Sequence, residues 1–380
     1  MTKRYLFPFV QEDLKEKMVF IGGPRQVGKT TLALSFLPTG TESEPAYLNW
    51  DNLEHRNKIL NGTLPSGEKL IIFDEIHKMA RWRGLIKGLY DTHKSSIAFI
   101  VTGSARLDHY RKGGDSLQGR YHYYRLHPFS VGELTSNPSP SDVEQLLRFG
   151  GFPEPFAKGT EKFWRRWSLE RMQRVTYGDL RDLENVRDVS LIELLIQNLP
   201  ERIGSPLSIQ NLREVLSVSH DSVSRWLKIL EALYVIFRIS PFGSPKIKAV
   251  TKEQKLYLWD WSQNKEDEGA RFENMVASHL LKYCHFIEDT EGHVMELRYL
   301  RDKDKREVDF VVLKDKKPLF AVEAKVSDSK QPTPEATYFR ARTQIPRFYQ
   351  VHLGQEDYGN ENTSVRVLPF WKFCKELGLP

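Results

Sequence analysis

The chain has 380 residues, 40% of them hydrophobic and 12% aromatic, which predicts two or three domains with real cores and excludes a disordered chain. Its 56 Lys and Arg outweigh 50 Asp and Glu by a formal charge of +6, enough to permit an acidic partner such as DNA or RNA but not to demand one. The only cysteines, Cys284 and Cys374, are too few for a disulfide framework or a zinc site.

The first apolar run, residues 17–21, reads as a short buried strand. It leads into Gly23-Pro24-Arg25-Gln26-Val27-Gly28-Lys29-Thr30-Thr31, which fits the P-loop pattern G-x-x-x-x-G-K-[ST] in full, and residues 30–37 read as the helix that should come next. Glycines let the backbone curl so that successive N–H groups face a polyphosphate. The helix adds its positive dipole end, Lys29 reaches the outer phosphates, and the Thr30 hydroxyl is the expected Mg²⁺ ligand.

Residues 46–51 predict another strand, and residues 69–75 an apolar strand ending in Asp74-Glu75. In P-loop enzymes such a strand lies beside the P-loop strand and its first acid, here Asp74, helps to hold Mg²⁺. Glu75 is then placed to activate a water against the terminal phosphate. A fourth strand, residues 97–101, ends in Thr102-Gly103-Ser104, where a small polar residue could orient that water or simply make a turn. Strands alternating with helices imply a parallel α/β sheet with the site at the carboxyl ends of the strands.

These segments, with Gly119-Arg120, Leu126-His127-Pro128-Phe129-Ser130 and Gly150-Gly151-Phe152-Pro153, resemble prokaryotic AAA+ ATPases of the archaeal-type group, which carry a C-terminal region of unknown function. The resemblance implies ATP and Mg²⁺ as ligands, Ser104 at the water-sensing position, and an oligomer, often a ring, in which a neighbour's arginine completes the site. It puts Arg120 near the nucleotide's phosphates, although a plain salt bridge is an equal reading. Many relatives have a second serine where this chain has Ala105.

Residues 161–189 are rich in Trp and Arg, which a solvated basic helix packed on a core explains better than nucleic-acid contact. Three helical segments come after it, at about 191–196, 209–216 and 222–233, the last two joined by a short turn. Strands at 234–239 and 255–260 flank a segment carrying Lys246, Lys248 and Lys252. Three helices and a basic hairpin describe a winged helix. In a DNA-reading version the third helix would present His220, Ser222, Ser224, Arg225 and Lys228, mostly to phosphates; the alternative is a packing module.

In the last region Gly269 opens a helix containing Glu273, and strands are predicted at 295–300, 307–312 and 319–325. Side chains alternate along a strand, so Glu323 and Lys325 share a face, with Asp309 on the adjoining strand. Two acids ~5 Å apart could bind one divalent metal while a lysine faces a scissile phosphate. This Asp…Glu-x-Lys pattern, with Glu273 before it, resembles the PD-(D/E)xK nuclease fold.

The resulting expectation is a P-loop AAA+ parallel-sheet domain (1–160), an all-α winged-helix domain with its helical linker (161–262), and an α+β restriction-endonuclease-like domain (263–380). The leading functional expectation couples ATP hydrolysis to DNA binding or remodelling. The alternatives are a partner-sensing regulatory ATPase and an ATP-gated, metal-dependent nuclease. No apolar run approaches the ~18 residues of a membrane span, the amino terminus has no apolar core of signal-peptide length, and a reducing cytoplasm is the simplest setting.

Overall fold

The computed structural model describes residues 4–79, 81–103, 117–180, 188–243, 253–359 and 365–380. The chain divides into two compact units, one running to His127 and taking in Ala232–Tyr234, the other formed by Pro128–Glu231 and Val235–Pro380.

The first unit alternates helix and strand: α1 (Phe7–Asp13), β1 (Met18–Gly22), α2 (Lys29–Leu34), β2 (Tyr47–Asn49), α3 (Leu53–Leu60), β3 (Leu70–Asp74), α4 (Trp82–His93), β4 (Ala98–Thr102) and β5 (Tyr121–Arg125). The strands form a parallel sheet in the order β2-β3-β4-β1-β5. β1 is buried along its whole length, as is β3 apart from Leu70, which is why both read as apolar runs rather than alternating ones. One expectation is corrected: β3 is not beside β1, because β4 lies between them. β5 was not foreseen, since Tyr121-His122-Tyr123-Tyr124-Arg125 has no apolar continuity.

The second unit opens with α5 (Val131–Leu134), α6 (Pro140–Phe149), α7 (Pro153–Lys158) and α8 (Glu161–Arg174), which runs on into a π-helical turn, Val175–Asp179. Then come α9 (Val189–Asn198), α10 (Ile209–Leu216) and α11 (His220–Ala232). Ser208 caps α10 by accepting from the Asn211 N–H, and Ser219 accepts from the Ser222 N–H at the start of α11. The left-handed Ser217 (φ 54°) turns the chain between them. α11 buries Val223, Trp226, Leu227 and Leu230 and leaves Arg225 and Lys228 exposed.

β6 (Ile236–Pro241) and β7 (Lys255–Leu258) pair antiparallel, as a hairpin should. The hairpin is not an isolated wing: β6 also pairs in parallel with β8 (Met295–Arg301), through Ser240 and Pro241. A seven-stranded mixed sheet results, β12-β11-β10-β9-β8-β6-β7, with β9 (Glu307–Lys314), β10 (Lys317–Lys325), β11 (Phe348–His352) and β12 (Val365–Pro369). α12 (Glu268–Glu291), capped by Asp267, packs on β7, β8 and β10. α13 (Pro334–Arg342) covers the core of Val308, Val311, Phe339 and Phe348, and α14 (Phe370–Glu376) closes the chain.

Candidate active site

The P-loop joins β1 to α2. Gly23, Gln26 and Gly28 have φ of 145°, 64° and 97°, so half of Gly23–Gly28 lies where glycine is favoured, and the chain curls back on itself. A Cβ on Gly23 would fall 2.4 Å from the Leu126 carbonyl oxygen, so this position has no room for a side chain. Arg4, buried at the start of the chain, donates to the carbonyls of Val27 (2.6 Å) and His127 (2.5 Å) and braces the loop against the chain leaving β5. The Lys29 ammonium, 7% exposed, donates to the carbonyls of Gly23 (3.1 Å) and Pro24 (2.8 Å).

Asp74, at the carboxyl end of β3, is 4% exposed and collects three hydroxyls. Thr30 Oγ1 and the Tyr47 phenol donate to its Oδ2 at 2.9 and 2.7 Å, and Thr102 Oγ1 donates to Oδ1. Burial, then the Asp74 charge, holds the Tyr47 phenol well above its ordinary range, so it stays a donor. Glu75 comes next, in the left-handed region (φ 55°), a conformation costly for a non-glycine residue and common at functional sites. Its Oε2 is buried without a hydrogen-bond partner, and His77 Nε2 and Lys78 Nζ each stand 3.7 Å from it. Burial pushes the carboxyl up, against the pull of Lys29.

These features fit a magnesium nucleotide. The loop is a cradle that a Cβ at Gly23 would fill, the Thr30–Asp74 pair is a hydroxyl and carboxylate in contact, and the Glu75 oxygen has capacity to spare. Tyr47 and Arg4 carry no motif signal, and Thr102, expected at the end of the fourth strand, proves to bind Asp74. Tyr47 sits in a strand already recognised, level with Ile72 in the register, and its phenol reaches Asp74 two residues further along β3.

Arg120 is elsewhere. It precedes β5 where β5 pairs with the start of β1, and its carbonyl accepts from the Met18 N–H. Its guanidinium grips Asp91 at 2.8 and 3.2 Å. A β1 strand of five residues, roughly 16 Å long, separates that end from the P-loop, which corrects the phosphate-contact expectation in favour of the salt bridge. Ser104 and Ala105 lie outside the described residues, as do Lys246, Lys248 and Lys252.

Residues 15–135 match the family model described as AAA domain. The first unit carries an AAA-type domain. Residues 140–262 and 268–373 match two models described as domains of unknown function, DUF8612 and DUF4143. Among relatives of this chain, uncharacterized protein MJ1544 of Methanocaldococcus jannaschii is 22% identical over 95% of this chain and 88% of its own length. Uncharacterized protein MJ1637 of the same organism is 24% identical over 75% and 72%, and uncharacterized protein Rv2008c of Mycobacterium tuberculosis 24% identical over 64% and 54%. Two solved structures, the Thermotoga maritima RuvB Holliday junction branch migration motor and the Aeropyrum pernix ORC1 protein in complex with DNA, align over 61% and 72% of this chain and 87% and 92% of theirs. Their identities are 18% and 13% and their TM-scores 0.32 and 0.34, too low to carry an argument.

The second unit brings the expected acids together. The Asp309 N–H donates to Glu323 Oε2 (3.4 Å), the Ala324 N–H donates to Asp309 Oδ2 (2.9 Å), and Lys325 Nζ lies 2.7 Å from Glu323 Oε1. Three further residues join them. Lys255 Nζ, from β7, contacts Glu307, and stands 3.3 Å from Glu273 and 3.8 Å from Asp309. The Tyr257 phenol donates to Glu273 at 2.7 Å. Burial, then the Asp309 charge, raises the Glu273 carboxyl to about 7 and the Glu323 carboxyl to about 8. Burial works against the Lys255 ammonium, but Glu273, Asp309 and Glu307 more than offset it and its pKa is raised. Among the described residues, no group of three or more His, Cys, Asp or Glu side chains is placed to hold a metal ion. The missed residues did leave a signal: Lys255 and Tyr257, and Glu307 and Asp309, are pairs two apart on one strand face.

On α11, His220 is exposed and within 3.5 Å of Ser224 Oγ and 3.7 Å of Asp221, while Ser222 Oγ meets Ser219 Oγ at 2.9 Å. Arg225 and Lys228 share the exposed side. Among the described residues, no helix is long and apolar enough to cross a membrane.

Proposed function

We propose that this protein hydrolyses Mg-ATP and couples the turnover to binding or remodelling DNA. The observation that carries the hydrolytic part is the Thr30–Asp74 hydrogen bond at 2.9 Å, with Glu75 next in the chain and its Oε2 without a hydrogen-bond partner. The loop 23–31 would hold the phosphates, with Lys29 exchanging its carbonyl partners for phosphate oxygens. Thr30 and Asp74 would hold Mg²⁺, which supplies positive charge against the phosphate oxygens. Glu75, oriented by its left-handed backbone, would polarise the attacking water. An oligomer in which a neighbour's arginine completes the site accords with the AAA-type match.

The DNA part rests on α11, whose Arg225 and Lys228 are exposed beside the polar residues of its first turn. Of the division into 1–160, 161–262 and 263–380, the second boundary accords with family models that part at 262–268, whereas the first two models part at 135–140, before residue 160. The deciding experiment measures ATP hydrolysis with single-stranded, duplex and branched DNA against a Lys29→Ala control. Stimulation by one form supports the proposal. No stimulation and no binding at low salt leaves a partner-sensing ATPase as the reading.

A further inference from the structure

We infer that the acidic cluster of the second unit is neutralised by its own ammonium groups, Lys255 against Glu273, Glu307 and Asp309 and Lys325 against Glu323, and that it therefore takes no metal and does not cut DNA. The inference is independent of the ATPase reading.

Lys255 is fully buried, and its Nζ faces carboxylates delivered by two elements, Glu273 from α12 and Glu307 and Asp309 from β9. Other oxygens nearby are engaged too. Asp309 Oδ2 takes the Ala324 N–H, Glu323 Oε2 takes the Asp309 N–H, and Glu323 Oε1 takes Lys325. Glu273 Oε1, already near Lys255, also accepts from Tyr257. A divalent ion needs several oxygens free to converge on it, and here they converge on an ammonium.

The lysine cannot readily step aside. Its backbone pairs with Ile239 on β6 and forms a bridge to Pro206, and its Nζ stands 5.5 Å from the centre of the Tyr299 ring. Gly204 closes the Glu273 side, since a Cβ there would fall 2.7–2.9 Å from the Glu273 carboxyl atoms. An entering metal would meet a like charge at contact range, and a displaced ammonium would be left buried without its counter-ions. The same ion cluster fastens β7 to α12 and β9, which gives the acids a structural task in the absence of chemistry.

The test uses the full chain carrying Lys29→Ala, without nucleotide, and counts bound Mn²⁺ by the electron paramagnetic resonance of the free ion. The expected result is the same Mn²⁺ count with and without Glu323→Gln or Asp309→Asn, and no nicking of supercoiled plasmid in Mn²⁺. In that background a folded Lys255→Met variant gains one Mn²⁺ per chain, whereas Lys255→Arg gains none. One equivalent bound while Lys255 is intact, and lost with Glu323→Gln, overturns the inference. So does a Lys255→Met variant that keeps its circular dichroism spectrum and binds no Mn²⁺. Should Lys255→Met fail to fold, the comparison with Glu323→Gln still decides.

Discussion

Thr30 and Asp74 meet hydroxyl to carboxylate at 2.9 Å although β1 and β3, which flank the P-loop and carry the acid, are separated by β4. The gap of two strand spacings, roughly 10 Å, is bridged because Thr30 comes from the first turn of α2 rather than from β1 itself. β4 contributes its own residue to the gap, Thr102, on the other Asp74 oxygen.

The hydroxyls around Asp74 fix which of its lone pairs remain for a cation. Tyr47→Phe deletes one of them and is isosteric otherwise. The Mg²⁺ concentration for half-maximal ATP hydrolysis is expected to rise about tenfold, in keeping with ~1.5 kcal/mol for a hydrogen bond to a charged group. Turnover at saturating Mg²⁺ should hold. A Mg²⁺ titration of phosphate release reads both, and an unchanged midpoint would remove Tyr47 from the site.

Glu75 and Lys29 have separable tasks. Glu75→Gln should keep nucleotide binding and lower turnover by about 10²-fold or more, the usual contribution of a general base. Lys29→Ala should bring hydrolysis to background. Because burial raises the Glu75 carboxyl, the acid limb of the pH–rate profile should lie above that of an ordinary glutamate. Turnover falls as the pH drops through that value, since the base must be ionised. Single-turnover hydrolysis across pH, with nucleotide binding measured alongside, tests this, and Glu75→Gln with normal turnover would refute the assignment.

Gly23→Ala should both destabilise the first unit and abolish nucleotide binding. The added Cβ meets a backbone carbonyl, which has no flexible end to move, at a φ that disfavours any side chain. A loss of about 2 kcal/mol or more is expected. Thermal melting with and without ATP shows it as a lower Tm and a vanished nucleotide-dependent shift.

The carboxyls of the second unit predict a pH-dependent stability. Unfolded glutamate ionises near its ordinary value of 4.5, whereas folded Glu273 and Glu323 hold their protons to about 7 and about 8. Between those limits the folded state binds more protons. This contribution is therefore complete at low pH and is lost as the pH rises from about 4.5 through about 8. Its slope is at most about 1.4 kcal/mol per pH unit for each group. Denaturant melts between pH 5 and 9 should show the decline, and Glu323→Gln should flatten it near pH 8. A stability that climbs with pH in the parent but not the variant would reverse the sign and refute the account.

If α11 contacts DNA phosphates, Arg225→Glu with Lys228→Glu should weaken binding at least tenfold. The logarithmic salt slope should shrink by about one per lost phosphate contact. Both residues are exposed, so the fold should hold. Unchanged affinity and slope by fluorescence anisotropy would exclude this face.

The local chemistry was legible wherever it was contiguous. Gly23 to Thr31 and Asp74-Glu75 carry their spacing in the chain, and α11 shows its face through Val223, Leu227 and Leu230. Strands β5, β11 and β12 were not read, since Tyr121–Arg125 lacks a continuous apolar run and the short strands Phe348–His352 and Val365–Pro369 were passed over. For Arg120 phosphate contact and a salt bridge stood as equal readings, because a motif order says which residues succeed one another, not which end of a sheet they occupy.

By itself, then, the amino-acid order determined the P-loop, the acid pair and the period-two faces of the later strands, because these depend on neighbours one to four residues away. Only the tertiary structure decided that β4 separates β1 from β3 and that Tyr47 and Thr102 converge on Asp74. It alone revealed Lys255 among acids that lie 18, 52 and 54 residues further on. The reason is physical: a buried charge takes its character from whatever the fold packs around it, and those partners are set by sheet order and burial rather than by proximity along the chain.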